Sequence, residues 1–197
     1  MKRLIRPVMM IVACALSLQL TGCAQISMTP PQATIENAAK LRDNRFAPAA
    51  VGSFKLDAGK AAGLDKSISI RSNGLSSPIE NSFAQYLRET LKVEIQSAGL
   101  FDANASTVIS GTLTESTLDS SIGAGKASLA ARFVVTRAGD VRYDSEQRVS
   151  AAWDSPFIGV AAVPFAAGQY EALYRKLVGV LLDDASFRRA IAKTSEP

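Results

Sequence analysis

Few residue types in this 197-residue chain could do chemistry, and the first of them is a thiol: Cys23 stands directly behind Leu20, Thr21 and Gly22. The chain has no histidine. Ser-His and Cys-His nucleophile pairs, imidazole zinc sites and most neutral-pH general bases are therefore unavailable, leaving carboxylate pairs, a Ser-Lys dyad or a hard-cation site. The adjacent acidic pair Asp183-Asp184 precedes Ala185, Ser186 and Phe187 and reads as the end of one helix and the N-cap of the next. Gly123-Ala124-Gly125 lacks the third glycine of a dinucleotide loop and reads as a turn between strands. No catalytic residue, metal ligand or dissociable cofactor is expected.

The surroundings of Cys23 are more specific. Lys2, Arg3 and Arg6 form a positive n-region, and Val8 to Leu20 an apolar run that ends in small residues, the order of a secretory signal peptide. The run is shorter than the roughly 20 apolar residues of a spanning helix. Leu20-Thr21-Gly22-Cys23 resembles the lipobox of bacterial lipoproteins. The resemblance implies a diacylglycerol thioether on Cys23, cleavage of the Gly22–Cys23 bond, and a further N-acyl chain on the freed amine. At about 0.8 kcal/mol per buried CH2, one chain holds marginally, whereas two or three anchor stably. Ala24 stands where an Asp would be the retention signal, so the resemblance further implies the outer membrane, with the domain facing the periplasm.

The expected division is residues 1–22 as a cleaved signal, 23–46 as the lipidated N-terminus and a flexible tether, and 47–197 as a single α+β periplasmic domain. The signal holds three of the 22 basic residues and none of the 18 acidic ones, leaving 19 against 18. No basic stripe for nucleic acid remains. Cys14 leaves with the signal and Cys23 is consumed by lipid, so the domain must be held by packing alone. The tether assignment rests on Pro30, Pro31 and a run of small and polar residues, although Ile35 to Leu41 could form a helical turn or two.

Apolar alternation predicts strands over 49–56, around Ile68 and Ile70, and over 107–118, 126–137 and 141–153. Ser76-Ser77-Pro78 predicts a helix start, and Ile79, Phe83, Leu87, Leu91 and Ile95 at spacing four predict a core-facing stripe ending at Gly99. Ala138-Gly139-Asp140 suits a tight hairpin, setting Val135 near Tyr143 and Leu129 near Val149, with Val141 on their face. Ser128, Arg132, Thr136, Arg142 and Arg148 occupy the opposite, wet face. A second long helix runs through Tyr170, Leu173, Leu177 and Leu181, and a short one through Phe187 and Ile191. The order β-β-α-β-β-β-α predicts a two-layer α+β fold: an antiparallel sheet of four to five strands with two amphipathic helices on one face.

Across residues 50–192, the strand Ala50-Val51-Gly52-Ser53-Phe54 and the helix end Ser97-Ala98-Gly99-Leu100-Phe101 give an order that resembles YajG-like lipoproteins and the auxiliary lipoproteins of envelope lipid-transport systems. The resemblance implies a non-enzymatic accessory role. The sequence thus predicts a membrane-anchored binding or assembly module of the cell envelope, with an envelope protein or lipid as partner. The alternatives are an amphiphile-binding transport accessory and a histidine-free envelope enzyme. The stretch from Trp153 to Gly168 carries no charge after Asp154 and is broken by Pro156 and Pro164, so it reads as an irregular connection. Either Phe157, Ile158, Val160 and Val163 cap the open end of the core, or Trp153, Phe157, Ile158 and Phe165 form an exposed surface for a partner or lipid chain.

Overall fold

Side-chain alternation builds the main sheet, and a tight turn sets its register. The computed structural model describes residues 25–42 and 45–193. Strands β5 (Thr107–Ser120), β6 (Gly125–Arg137) and β7 (Asp140–Trp153) form an antiparallel meander. Ala138 and Gly139 both take positive φ, 51° and 93°. That is the primed-turn geometry whose twist suits a two-residue hairpin. It places Val135 opposite Tyr143 and Leu129 opposite Val149, as the sequence predicts. A bulge after Val135 pairs Thr136 with Val141 and turns Val141 out to solvent, away from the inner face expected for it. Ser128, Arg132, Thr136, Arg142 and Arg148 do lie on the wetter side, exposed or half-exposed.

The fourth strand departs from the antiparallel expectation. β2 (Ala50–Leu56) runs parallel to β5, giving a mixed sheet in the order β2-β5-β6-β7. Parallel neighbours need a long crossover, and the chain between β2 and β5 supplies it. That crossover contains β3 (Ile68–Ile70), β4 (Asn73–Ser76) and helix α2 (Phe83–Ser97). The stripe Phe83, Leu87, Leu91 and Ile95 is buried in the core. Helix α2 starts later than Ser76-Ser77-Pro78 suggests, because Ser76 is still in a strand and Glu80 and Asn81 adopt left-handed backbone. Ser82 is the N-cap: its hydroxyl accepts from Gln85 N–H at 3.1 Å. Asp65 completes the cap, accepting from Ser82 Oγ at 2.6 Å and Ala84 N–H at 2.8 Å.

Helix α3 (Gly159–Asp183) lies over the same sheet face, and α4 (Ala185–Ile191) follows at once. Asp184 is the N-cap of α4, as read from the sequence, accepting from Ser186 and Phe187 N–H at 2.7 and 3.1 Å. Residues 159–168 are helical, which corrects the irregular connection expected there. Pro164 forfeits only the bond its own N–H would make to Val160, on an exposed face, while Ala162, Val163, Ala166 and Ala167 bury the other face at helical spacing.

The stretch expected to be a tether is built into the domain over its described residues. β1 (Gln25–Ser27) pairs parallel with β4 in a second, three-stranded sheet ordered β1-β4-β3. Met28, Leu41 and Phe46 are buried in the core. Helix α1 (Ile35–Leu41) is capped by the Thr34 hydroxyl and packs between α2 and α3.

Candidate functional site

One end of the fold is apolar and unpaired, and a single arginine organises it. Arg71 sits in the β3–β4 turn with φ 54°. Its guanidinium donates to Ser120 O at 3.1 Å, Phe157 O at 3.0 Å, Pro156 O at 2.5 Å and Ser155 Oγ at 3.4 Å. The backbone of Ser155 pairs with that of Gly123, N–H to O 3.1 and 3.4 Å. The β5–β6 turn, the β3–β4 turn and the β7–α3 link are thus tied at one point.

The side chains around that knot face water. Phe157 is 76 % exposed, Ile158 66 %, Val160 83 % and Ile122, in the β5–β6 turn, 62 %. On the first turns of α3 the exposed residues are Val160, Ala161, Pro164, Phe165 and Gly168, none charged. Carbonyls are commonly satisfied by water at a surface. Here Arg71 satisfies those of Pro156 and Phe157, which fixes the backbone that carries the adjoining apolar side chains.

Of the four residues expected to form an exposed surface, Phe157, Ile158 and, at 43 % exposure, Phe165 face water. Trp153 is half-buried against the core, its indole so close to Gly125 that a Cβ there would overlap the ring. Trp153 Nε1 is buried without a hydrogen-bond partner among the described residues. Of the residues proposed to cap the core, only Val163 does so. Gly22 and Cys23 lie outside the described residues. Ile122 and Arg71 were not singled out by sequence reasoning, and Val160 was named only as a cap of the core, whereas it is exposed. An isoleucine between Ser121 and Gly123 in a turn was a readable signal, whereas the targets of Arg71 lie 49 to 86 residues away.

The remaining polar groups are committed to structure. Glu94 is fully buried on α2 and its carboxylate accepts from Thr34 N–H at 3.0 and 3.1 Å, Thr34 Oγ1 at 3.1 Å and Asn37 Nδ2 at 3.0 Å. It fixes α1 to α2. Tyr170 Oη lies 2.5 Å from Ser116 Oγ and 3.0 Å from Tyr174 Oη. Burial pushes Tyr170 up to about 12 and Tyr174 well above the usual phenol range, so both stay neutral at physiological pH. Two clefts carry charged side chains: one of about 320 Å³ lies between α1 and α3 beside the Lys40–Asp183 ion pair, and one of about 510 Å³ is lined by Arg137, Arg142 and Arg189. Among the described residues no cluster of His, Cys, Asp and Glu could hold a metal ion, and no helix is long and apolar enough to cross a membrane.

The fold is an α+β sandwich of one mixed sheet and one helical layer, with a small second sheet. No family model and no curated protein matches the sequence. Among solved structures the chain is similar to protein XCC0632 from Xanthomonas campestris, of the family model DUF330. The TM-score is 0.51 at 13% identity, covering 81% of this chain and 95% of that one. A minor lipoprotein from Acinetobacter baumannii gives a TM-score of 0.42 at 12% identity, over 75% of this chain and 98% of that one. The first likeness establishes the fold.

Proposed function

We propose that this protein is a lipid-anchored, non-catalytic binding or assembly module of the bacterial envelope, held by acyl chains on Cys23 to the outer membrane and facing the periplasm. The lipobox-like Leu20-Thr21-Gly22-Cys23 supports the anchor. The observation that carries the binding role is the uncharged, water-facing cluster of Ile122, Phe157, Ile158 and Val160, held in place by Arg71. Exposed apolar clusters on a rigid frame mark contact surfaces, because leaving them in water costs free energy that folding alone would remove. The histidine-free composition and the commitment of Glu94, Tyr170 and Tyr174 to structural hydrogen bonds support a role without catalysis. The anchor is tested by metabolic labelling with a palmitate analogue. Wild type should take up label, and Cys23→Ser should accumulate as an unlabelled, unprocessed precursor. Label on the Ser variant, or none on wild type, would overturn the reading.

A further inference from the structure

The topology places the start of the described chain at the apolar end. β1 runs parallel to β4 with Gln25 opposite Gly74, and β4 begins two residues after Arg71. Gln25 therefore lies at the same end as the β3–β4 turn, and the Arg71 side chain reaches from that turn to Phe157 O, Pro156 O and Ser120 O. Cys23 precedes Gln25 by two residues, a separation that spans at most about 7 Å even when fully extended.

From this juxtaposition we infer that the apolar end is a membrane-docking surface, with Ile122, Phe157, Ile158 and Val160 seated in the interface of the bilayer that holds the Cys23 acyl chains. The inference rests on the lipoprotein reading above. Three observations choose a lipid surface as the occupant. The first is the length of chain left between the anchor and the fold: about 7 Å is comparable with one headgroup layer, so this end cannot stand clear of the membrane. The second is that β1 is held by its pairing with β4, and Met28 by the core, so the described chain adds no slack behind Cys23. The third is composition: residues 155–170 carry no charge, so Phe157, Ile158 and Val160 bring none of their own to the headgroup–acyl boundary, and the Arg71 guanidinium beside them already donates to the Ser120, Pro156 and Phe157 carbonyls. The opposite end differs in character. β6 and β7 run from Gly125 and Trp153 at the docking end to Arg137 and Asp140, where Arg142 and Arg189 join Arg137 around an open cleft. The arginine-lined end faces away from the bilayer.

The test uses the full chain, purified in its acylated form and reconstituted into phosphatidylethanolamine–phosphatidylglycerol vesicles with or without brominated acyl chains. An environment-sensitive fluorophore is placed on Ile158→Cys, Val160→Cys or, at the far end, Arg142→Cys. Because Cys23 is the other cysteine of the mature chain and its sulfur is held in the diacylglyceryl thioether, labelling is confined to the introduced thiol. The probes at 158 and 160 should shift to the blue and lose most of their emission in brominated vesicles, while the probe at 142 is unchanged. A protein that floats with the vesicles while the 158 and 160 probes stay bright would overturn docking and leave the anchor standing. So would probes shielded from aqueous iodide only after addition of an envelope extract, which would assign the surface to a protein partner. A wild-type chain whose Cys23 reacts with the fluorophore and fails to float would overturn the anchor, and docking with it.

Discussion

Glu94 shows what a single carboxylate does when it is buried among donors. It receives two hydrogen bonds from the α1 cap residue Thr34 and a third from Asn37, joining segments some 60 residues apart. Glu94→Ala leaves the Thr34 N–H and the Asn37 amide without that acceptor, and should cost about 1–3 kcal/mol in urea denaturation. Hydrogen exchange should quicken selectively over Met28 to Leu41. Asp184 gives the pH dependence. Burial opposes its ionised form, but the N–H groups of Phe187 and Ser186, with Tyr143 Oη and Gln147 Nε2, outweigh it and hold the carboxyl below the usual range. A depressed folded-state value contributes stability that is present above the unfolded-state pKa and is lost as pH falls through the folded one. The denaturation midpoint of wild type should therefore drop on acidification below about pH 4 more steeply than that of Asp184→Asn. The N-cap role of Asp184 was legible because it depends on the next three residues. The role of Glu94 was not, since its partners Thr34 and Asn37 lie outside any local window.

At the level of elements, local signals carried the hairpin and the helix stripe, and failed where tertiary pairing decides. Phe83 and Leu87 are fully buried, and each cut to Ala should cost about 2 to 5 kcal/mol, with loss of melting temperature in both variants. Unchanged melting for either would place that side chain outside the core. The start of α2 was displaced because Ser76 bonds to β1, a partner the helix-start pattern does not contain. The parallel pairing of β2 with β5 leaves no trace in alternation, which is the same for either direction. Pro164 was read as a breaker, yet it sits within the first turns of α3, where a lost bond on the exposed face is offset by the small residues packed beneath it. The tether reading had the right composition and the wrong outcome: prolines and small residues at 30–34 allow an extended chain, and the pairing of β1 with β4 and burial of Met28 fix it.

The two ends of the molecule differ, with an exposed apolar cluster beside Arg71 where the described chain begins and an arginine-lined cleft at the other end of the strands. Because Phe157 and Ile158 are exposed, the double variant Phe157→Ser/Ile158→Ser should keep its stability within about 0.5 kcal/mol of wild type while losing contact with its target. Equal loss of folding would return both residues to the core. Neutron reflectometry of the acylated protein on a supported bilayer measures where the folded domain stands. With 14 residues in β7 at about 3.3 Å each, an end-on domain gives a layer roughly 45 Å deep, starting at the headgroups without a water-filled gap. A hydrated gap of tens of ångströms between headgroups and protein, as a free tether over residues 24–46 would leave at about 3.3 Å per residue, would contradict it.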